Sequence, residues 1–120
     1  MQDLIRTMKA LSDETRLRIM NILLERECCV CEVMQALNIS QTRASRNLGI
    51  LQKAGFLKTK REGLWIVYSI DWETNNRYVN SLKQLFQKFS VTSDVSKKDR
   101  KNLKHAQRIG PGCKTKAIDA

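Results

Sequence analysis

Val33-Met34-Gln35-Ala36-Leu37-Asn38-Ile39-Ser40-Gln41-Thr42-Arg43-Ala44-Ser45-Arg46-Asn47-Leu48 is the stretch on which the fold turns. Val33, Met34 and Leu37 give one short helix its apolar side, and Asn38 suits its end, because Asn tolerates the left-handed conformation that closes many helices. Ser40 has the chemistry of an N-cap. From it a second helix runs to about Ala54 and is stopped by Gly55. Ala44, Leu48 and Leu51 line one side of it at i, i+4, i+7, and Thr42, Arg43 and Arg46 point roughly the opposite way. Two helices joined by little more than Asn38-Ile39 have the connection length of a helix-turn-helix.

Upstream, Leu4, Ile5, Met8 and Leu11 have helical spacing over residues 2–11. Ser12 reads as the cap of the next helix, and Asp13 and Glu14 suit its positive end. Leu17, Met20 and Leu24, widened by Ile19, Ile22 and Leu23, form its apolar face, and it should end near Glu25–Glu27. Downstream, Phe56–Arg61 and Leu64–Ile70 have strand character around Glu62-Gly63, a hairpin signal. Residues 73–89 return to helical spacing, with Tyr78, Leu82, Leu85 and Phe89 on one face. The expected fold is mainly α with a small β-hairpin wing, in the order α-α-α-α-β-β-α. Residues 1–89 are expected to form one folded domain. Residues 90–120 read as a basic tail, interrupted by Gly110-Pro111-Gly112 and partly disordered in isolation.

The chain of 120 residues carries a net charge of +10. Residues 1–90 hold 14 Lys/Arg against 9 Asp/Glu, and residues 91–120 hold 8 against 3, so the last quarter carries half of the charge. A surface this basic favours a polyanion. No apolar run approaches a membrane span, and the first residues lack a secretory pattern, so a cytoplasmic location is expected. In a reducing compartment Cys28, Cys29, Cys31 and Cys113 point to a metal or redox site before a disulfide framework.

In a helix-turn-helix the second helix enters the major groove. Here it would offer Ser40, Gln41, Thr42, Arg43, Ser45 and Arg46. Arg forks onto guanine, Gln pairs with adenine and a Thr methyl meets thymine. Ser40 leaves backbone N–H groups free for a phosphate. Lys58, Lys60 and Arg61 flank the hairpin turn, where a wing would meet the DNA backbone or minor groove. The competing reading, a wet face on a surface helix, is the norm for an arbitrary helix. The short turn, the basic hairpin and the net charge together favour DNA.

At these residues the sequence resembles the ArsR (ArsR/SmtB) repressors, in particular their arsenite-responsive branch. Ala10–Met20 resembles the family opening "ALSDPTRLRIL", with Glu14 where Pro is usual. Glu27–Val33 resembles the metal box "ELCVCDL", with Cys28 in place of Leu. Ser40–Leu48 resembles the recognition helix "SQPxxSRHL", with Asn47 in place of a common His. Leu51–Leu57 resembles "LxxAGLV", and Arg61–Tyr68 the wing "REGRWVYY". The match covers about residues 4–89 in one register. It implies a winged-helix homodimer joined through the first and last helices. It also implies a transcriptional repressor that leaves operator DNA when arsenite, antimonite, cadmium, lead or a similar soft ion binds, with no organic cofactor. The zinc-sensing branch uses Asp and His pairs on the last helix, and residues 72–89 contain no His.

Soft ions prefer thiolates; arsenite takes three sulfurs, and cadmium and zinc favour four ligands. Cys29 and Cys31 match the two box cysteines. The third ligand is open between Cys28 and Cys113, the latter from either protomer's tail; Met34 is a weak thioether substitute. Residues i and i+2 stand about 200° apart on a helix, so Cys29 and Cys31 share an ion only if the helix start unwinds or stays unwound. Cys28 and Cys31, at i, i+3, could share one without unwinding. Small buried apolar residues are the plain alternative for Cys28, Cys29 and Cys31, and a free tail thiol is the alternative for Cys113.

Three other functions compete. A thiol redox or persulfide-sensing repressor on the same fold would use the vicinal thiols, with Arg26 favouring a thiolate. A constitutive DNA-binding protein would carry its cysteines incidentally. An enzyme is not expected, since the sequence has no His-carboxylate set, phosphate loop or nucleophile elbow. The tail reads either as an extra arm on the DNA backbone or as the carrier of Cys113.

Overall fold

The computed structural model describes residues 1–88 and 93–109. Helix α1 (Gln2–Leu11) is followed by α2 (Glu14–Glu25), a two-residue strand β1 (Cys28–Cys29), α3 (Val30–Leu37) and α4 (Gln41–Lys53). The hairpin β2 (Leu57–Glu62) and β3 (Trp65–Ile70) comes next, then α5 (Arg77–Lys88) and α6 (Asp94–His105). Ile19, Met20, Ile22, Val33, Leu48, Leu51 and Phe56 are fully buried and knit α2, α3, α4 and the foot of the hairpin into one core.

The helix ends follow local chemistry. Asp13, not Ser12, caps α2 by accepting the Arg16 N–H at 3.1 Å, and Ser12 instead donates back to the Met8 carbonyl. A carboxylate suits that positive end better than a hydroxyl. Asn38 closes α3 in the left-handed region with φ 56°, and Ser40 caps α4 by accepting the Arg43 N–H at 3.2 Å. Gly63 has φ 62°, the conformation that the tight β2–β3 turn demands and that glycine adopts without strain.

Three further features depart from the sequence reading. β1 pairs antiparallel with β3, Cys28 opposite Tyr68 and Cys29 opposite Val67, so the sheet has three strands in the order β1-β3-β2. Helix α5 buries Val79, Lys83 and Phe86, packs Leu82 half-buried against the core and leaves Leu85 exposed, so the packed face is rotated from the one expected through Tyr78, Leu82 and Leu85. Lys83 lies among the buried residues because its ammonium donates to the Asp71 carbonyl and sits 5.1 Å over the Trp72 ring. Within the segment read as a basic tail, Asp94–His105 forms a capped helix packed on α2 and α3. It docks through Leu103 and through the Arg18–Asp99 ion pair at 2.8 Å. Phe89, Gly110-Pro111-Gly112 and Cys113 lie outside the described residues.

Candidate nucleic-acid interface and thiol site

On α4, Thr42, Arg43, Ser45 and Arg46 are exposed beside the exposed Ser40, and Gln41 is half-buried. They form one polar surface opposite the packed Ala44, Leu48 and Leu51. Arg43 is not loose: one of its Nη atoms donates to the Thr15 hydroxyl at 2.7 Å, which ties its fork to the start of α2. Asn47 is 4% exposed and faces inward. Its Oδ1 accepts from Arg16 at 2.9 Å and its Nδ2 donates to the Arg43 carbonyl. The difference from His at this position therefore acts through the α2–α4 joint.

On the wing, Lys58, Lys60 and Arg61 are exposed. Lys60 is paired with Glu62 at 2.9 Å and Glu27 at 3.2 Å, and Arg61 Nε donates to the Gly63 carbonyl at 3.4 Å.

The cysteines divide by strand alternation. Successive residues of β1 point to opposite faces. Cys28 joins the main core and its thiol donates to the Arg26 carbonyl at 3.6 Å. Burial pushes that thiol up to about 12, although Arg26 nearby works against the shift. Cys29 points the other way, into a small cluster with Cys31, Trp65 and Ile109. The Cys29 and Cys31 sulfurs are 2.9 Å apart and both residues are buried, but Cys31 is disulfide-bonded, against the expectation of free thiols throughout the cluster. Cys29 stays extended as the N-cap of α3 while Cys31 lies in its first turn, so the two sulfurs converge with no helical turn to unwind. The structure thus groups Cys29 with Cys31 and sets Cys28 apart. Burial raises the Cys29 pKa above the ordinary thiol value.

Glu32 organises this corner. Its Oε1 accepts the Cys29 N–H at 2.9 Å, closing a capping box, and its Oε2 takes Arg26 at 2.7 Å. Burial works to raise this carboxyl, but the Cys29 amide and Arg26 outweigh it and hold it below the usual range. Arg108, past the end of α6, lies 3.6 Å from Glu32 and bonds Glu62 of the wing at 2.8 Å. The Ile109 N–H donates to Cys31 Sγ at 3.4 Å, and its carbonyl accepts from the Trp65 indole. The sequence reading missed Glu32, Trp65, Arg108 and Ile109 as parts of this site. Cys29-Val30-Cys31-Glu32 does carry a capping-box signal, with Cys standing where Ser or Thr is usual. Among the described residues no set of three His, Cys, Asp or Glu side chains converges as a metal site.

The pattern of the family described as "Bacterial regulatory protein, arsR family" matches residues 13–59, from the α2 cap into the wing. The arsenical resistance operon repressor of Bacillus subtilis is 34% identical over 82 residues, covering 67% of this chain and 78% of that protein. The chain belongs to the ArsR family. A cadmium resistance transcriptional regulatory protein, CadC homolog, of Staphylococcus aureus is 39% identical over 87 residues, 72% of this chain and 66% of that one. This ArsR-family chain spans about half to two thirds of the length of several curated relatives it matches. In three dimensions it is similar to the homodimeric winged helix-turn-helix DNA-binding domain Mb0332 of Mycobacterium bovis, solved in solution. The TM-score is 0.60 at 31% identity, over 72% of this chain and 76% of that one. The fold is winged helix-turn-helix, and the family consists of transcriptional regulators, not enzymes. Among the described residues no helix is long and apolar enough to cross a membrane.

Proposed function

We propose that this chain is a cytoplasmic, homodimeric transcriptional repressor, released from its operator when Cys29 and Cys31 bind arsenite, antimonite or a similar soft ion such as cadmium or lead. The observation that carries it is the 2.9 Å approach of two buried sulfurs at the start of α3, the helix that leads into α4; Cys31, disulfide-bonded in this structure, becomes a ligand once reduced. Soft thiophilic ions are the ligands such a donor pair selects. Relatives named for arsenical and cadmium resistance support the same chemistry.

Ser40, Gln41, Thr42, Arg43, Ser45 and Arg46 would meet the major groove, and Lys60 and Arg61 the backbone beside it. To do so Lys60 would leave its carboxylate partners. Cys113 would supply the third sulfur from the same chain. Ile109 already bonds Cys31, and four further residues of extended chain reach about 13 Å. Cys28, turned into the main core, is left as a packing residue. The dimer would form through α1 and α5, which pack on each other and leave Ile5, Met8 and Leu85 about half exposed.

Release requires the ion to bind the off-DNA conformation better than the operator-bound one. The route is short on both sides. Cys29 pairs with Val67 of the wing strand, and α3 ends at Asn38, two residues before the α4 cap. Operator binding by fluorescence anisotropy, titrated with arsenite, antimonite, cadmium and zinc under reducing conditions, tests the reading. Arsenite should release the wild type and leave Cys29→Ser and Cys31→Ser bound, and Cys113→Ser should need far more of it. If no ion changes the wild-type affinity, the sensor reading fails. The same sulfur approach favours a second reading, a thiol redox or persulfide sensor. Mass spectrometry after peroxide or sulfane sulfur, set beside operator binding, separates the two.

A further inference from the structure

Helix α6 lies outside the segment matched by the family pattern, and its charge is arranged unevenly. It carries Lys97, Lys98, Arg100, Lys101 and Lys104 against Asp94 and Asp99. Asp99 is 2% exposed and consumed by Arg18, through bonds of 2.8 and 2.9 Å. The buried ion pair thus removes one acid from the surface and docks the helix in the same stroke. What remains outward is almost wholly cationic: Lys97, Lys98, Lys101 and Lys104 are all exposed.

The position of this face is as telling as its sign. Helix α6 runs along α3, with Asn102 donating to the Ala36 carbonyl and Gln35 donating to the Gln107 carbonyl. One groove beside it is lined by Gln35, Asn38, Lys98, Asn102 and His105. Asn38 is the exposed turn between the two helices of the motif. In a helix-turn-helix the first helix crosses the phosphate backbone while the second enters the groove. Lys98 and His105 stand beside the turn, and Lys97, Lys101 and Lys104 line the next groove with Glu25 and Arg26 at the end of α2, so the cationic helix flanks the motif along its first helix.

We propose that the outer face of α6 binds the phosphate backbone of duplex DNA flanking the bases read by α4. It lengthens the operator footprint without reading sequence. The occupant is inferred from charge complementarity and from the nearness of the turn, and it rests on the operator-binding reading above. Each phosphate contact on B-DNA contributes about 0.9 to the slope of log affinity against log salt.

The test measures operator affinity of the full chain over a salt series on two duplexes, one trimmed to the base-read core and one extended on both sides. For Lys98→Gln/Lys101→Gln/Lys104→Gln the slope on the extended duplex should be shallower than wild type by about 2 to 3 per protomer. On the trimmed duplex the two proteins should match. Lys101→Gln alone, which leaves the docking contacts of α6 untouched, should lower the slope by about 1. Substitution of the same three positions by Arg should restore the wild-type slope. Equal slopes for wild type and variants on the extended duplex would overturn the proposal. So would unchanged DNA slopes with lost binding to RNA or to anionic vesicles, which would assign the face to another polyanion. Failure of the wild type to bind the trimmed duplex would instead strike the operator-binding reading, so the two failures are distinguishable.

Discussion

Asn47 sits in the middle of the helix proposed to read DNA, yet its amide is spent inside the protein. It holds the Arg16 guanidinium and the Arg43 carbonyl, and Arg43 in turn leans on Thr15. Removing a nearly buried partner of a charged group costs about 1–3 kcal/mol. Asn47→Ala should therefore lower unfolding stability by about 1–2 kcal/mol in urea denaturation. The ranking of operator variants should stay unchanged, since no base contact is lost. Cys28 gives the opposite case, a reactive side chain in a packing role. Cys28→Ala should cost about 1 kcal/mol for the small void it leaves. It should keep the full response of operator affinity to arsenite in the anisotropy titration. The sequence left the Cys28 role open between ligand and packing residue, and did not show the Asn47 role. Helical periodicity locates Asn47 only to within a face, and whether Cys28 or Cys29 turns toward Cys31 depends on a strand too short to show alternation.

The helices that sequence patterning located well are those whose docking surface is apolar. α2, α3 and α4, with their closing Asn38 and Gly55, follow directly from aliphatic spacing and turn chemistry. α6 is different. Its inward positions are Ser96, Asp99, Leu103 and Ala106, so half of its contact surface is polar and its pattern reads as solvated chain. What fixes it is a partner 81 residues away in sequence, Arg18, which also bonds the Leu37 carbonyl at 2.9 Å. Breaking a buried ion pair by deleting one member typically costs 3–5 kcal/mol. Arg18 keeps some exposure, so Asp99→Ala should lie at or below the low end, about 2–3 kcal/mol. Hydrogen exchange should show the loss first in the amides of α6. β1 escaped for the reason that hid the Cys28 role, since a two-residue strand is defined by its neighbour alone.

The last described residues bring together parts that the sequence keeps apart. Arg108 links Glu32, which caps the thiol corner, to Glu62 at the tip of the wing, and Lys60 ties Glu62 to Glu27. If soft-ion occupancy reaches the DNA-reading surface through the wing, Arg108→Ala should still bind arsenite with near wild-type affinity. The fold-change that arsenite produces in operator affinity should shrink severalfold, a loss within the 1–3 kcal/mol typical of coupling between sites. Equal fold-changes would mean that the turn at Asn38 carries the signal alone. A charged substitution in the apolar face shared by α1 and α5 belongs to the same level of organisation. Leu85→Glu should shift the chain to monomer in sedimentation and weaken operator binding at least tenfold, because a half-site protein forfeits the second set of contacts.

The pairing of Cys29 with Val67 also has a consequence for rearranging the chain. Side chains alternate strictly along a strand, so a slip of one residue exchanges its two faces. Deleting Glu27, if the slack were taken up by β1, would turn Cys28 toward Trp65 and send Cys29 into the main core. The doublet Cys28-Cys29 would then still place one sulfur on the Cys31 side. The sulfur kept on that face would lie two residues, about 6.6 Å, along the strand from the position Cys29 holds now, so the slip preserves the face and not the sulfur pair.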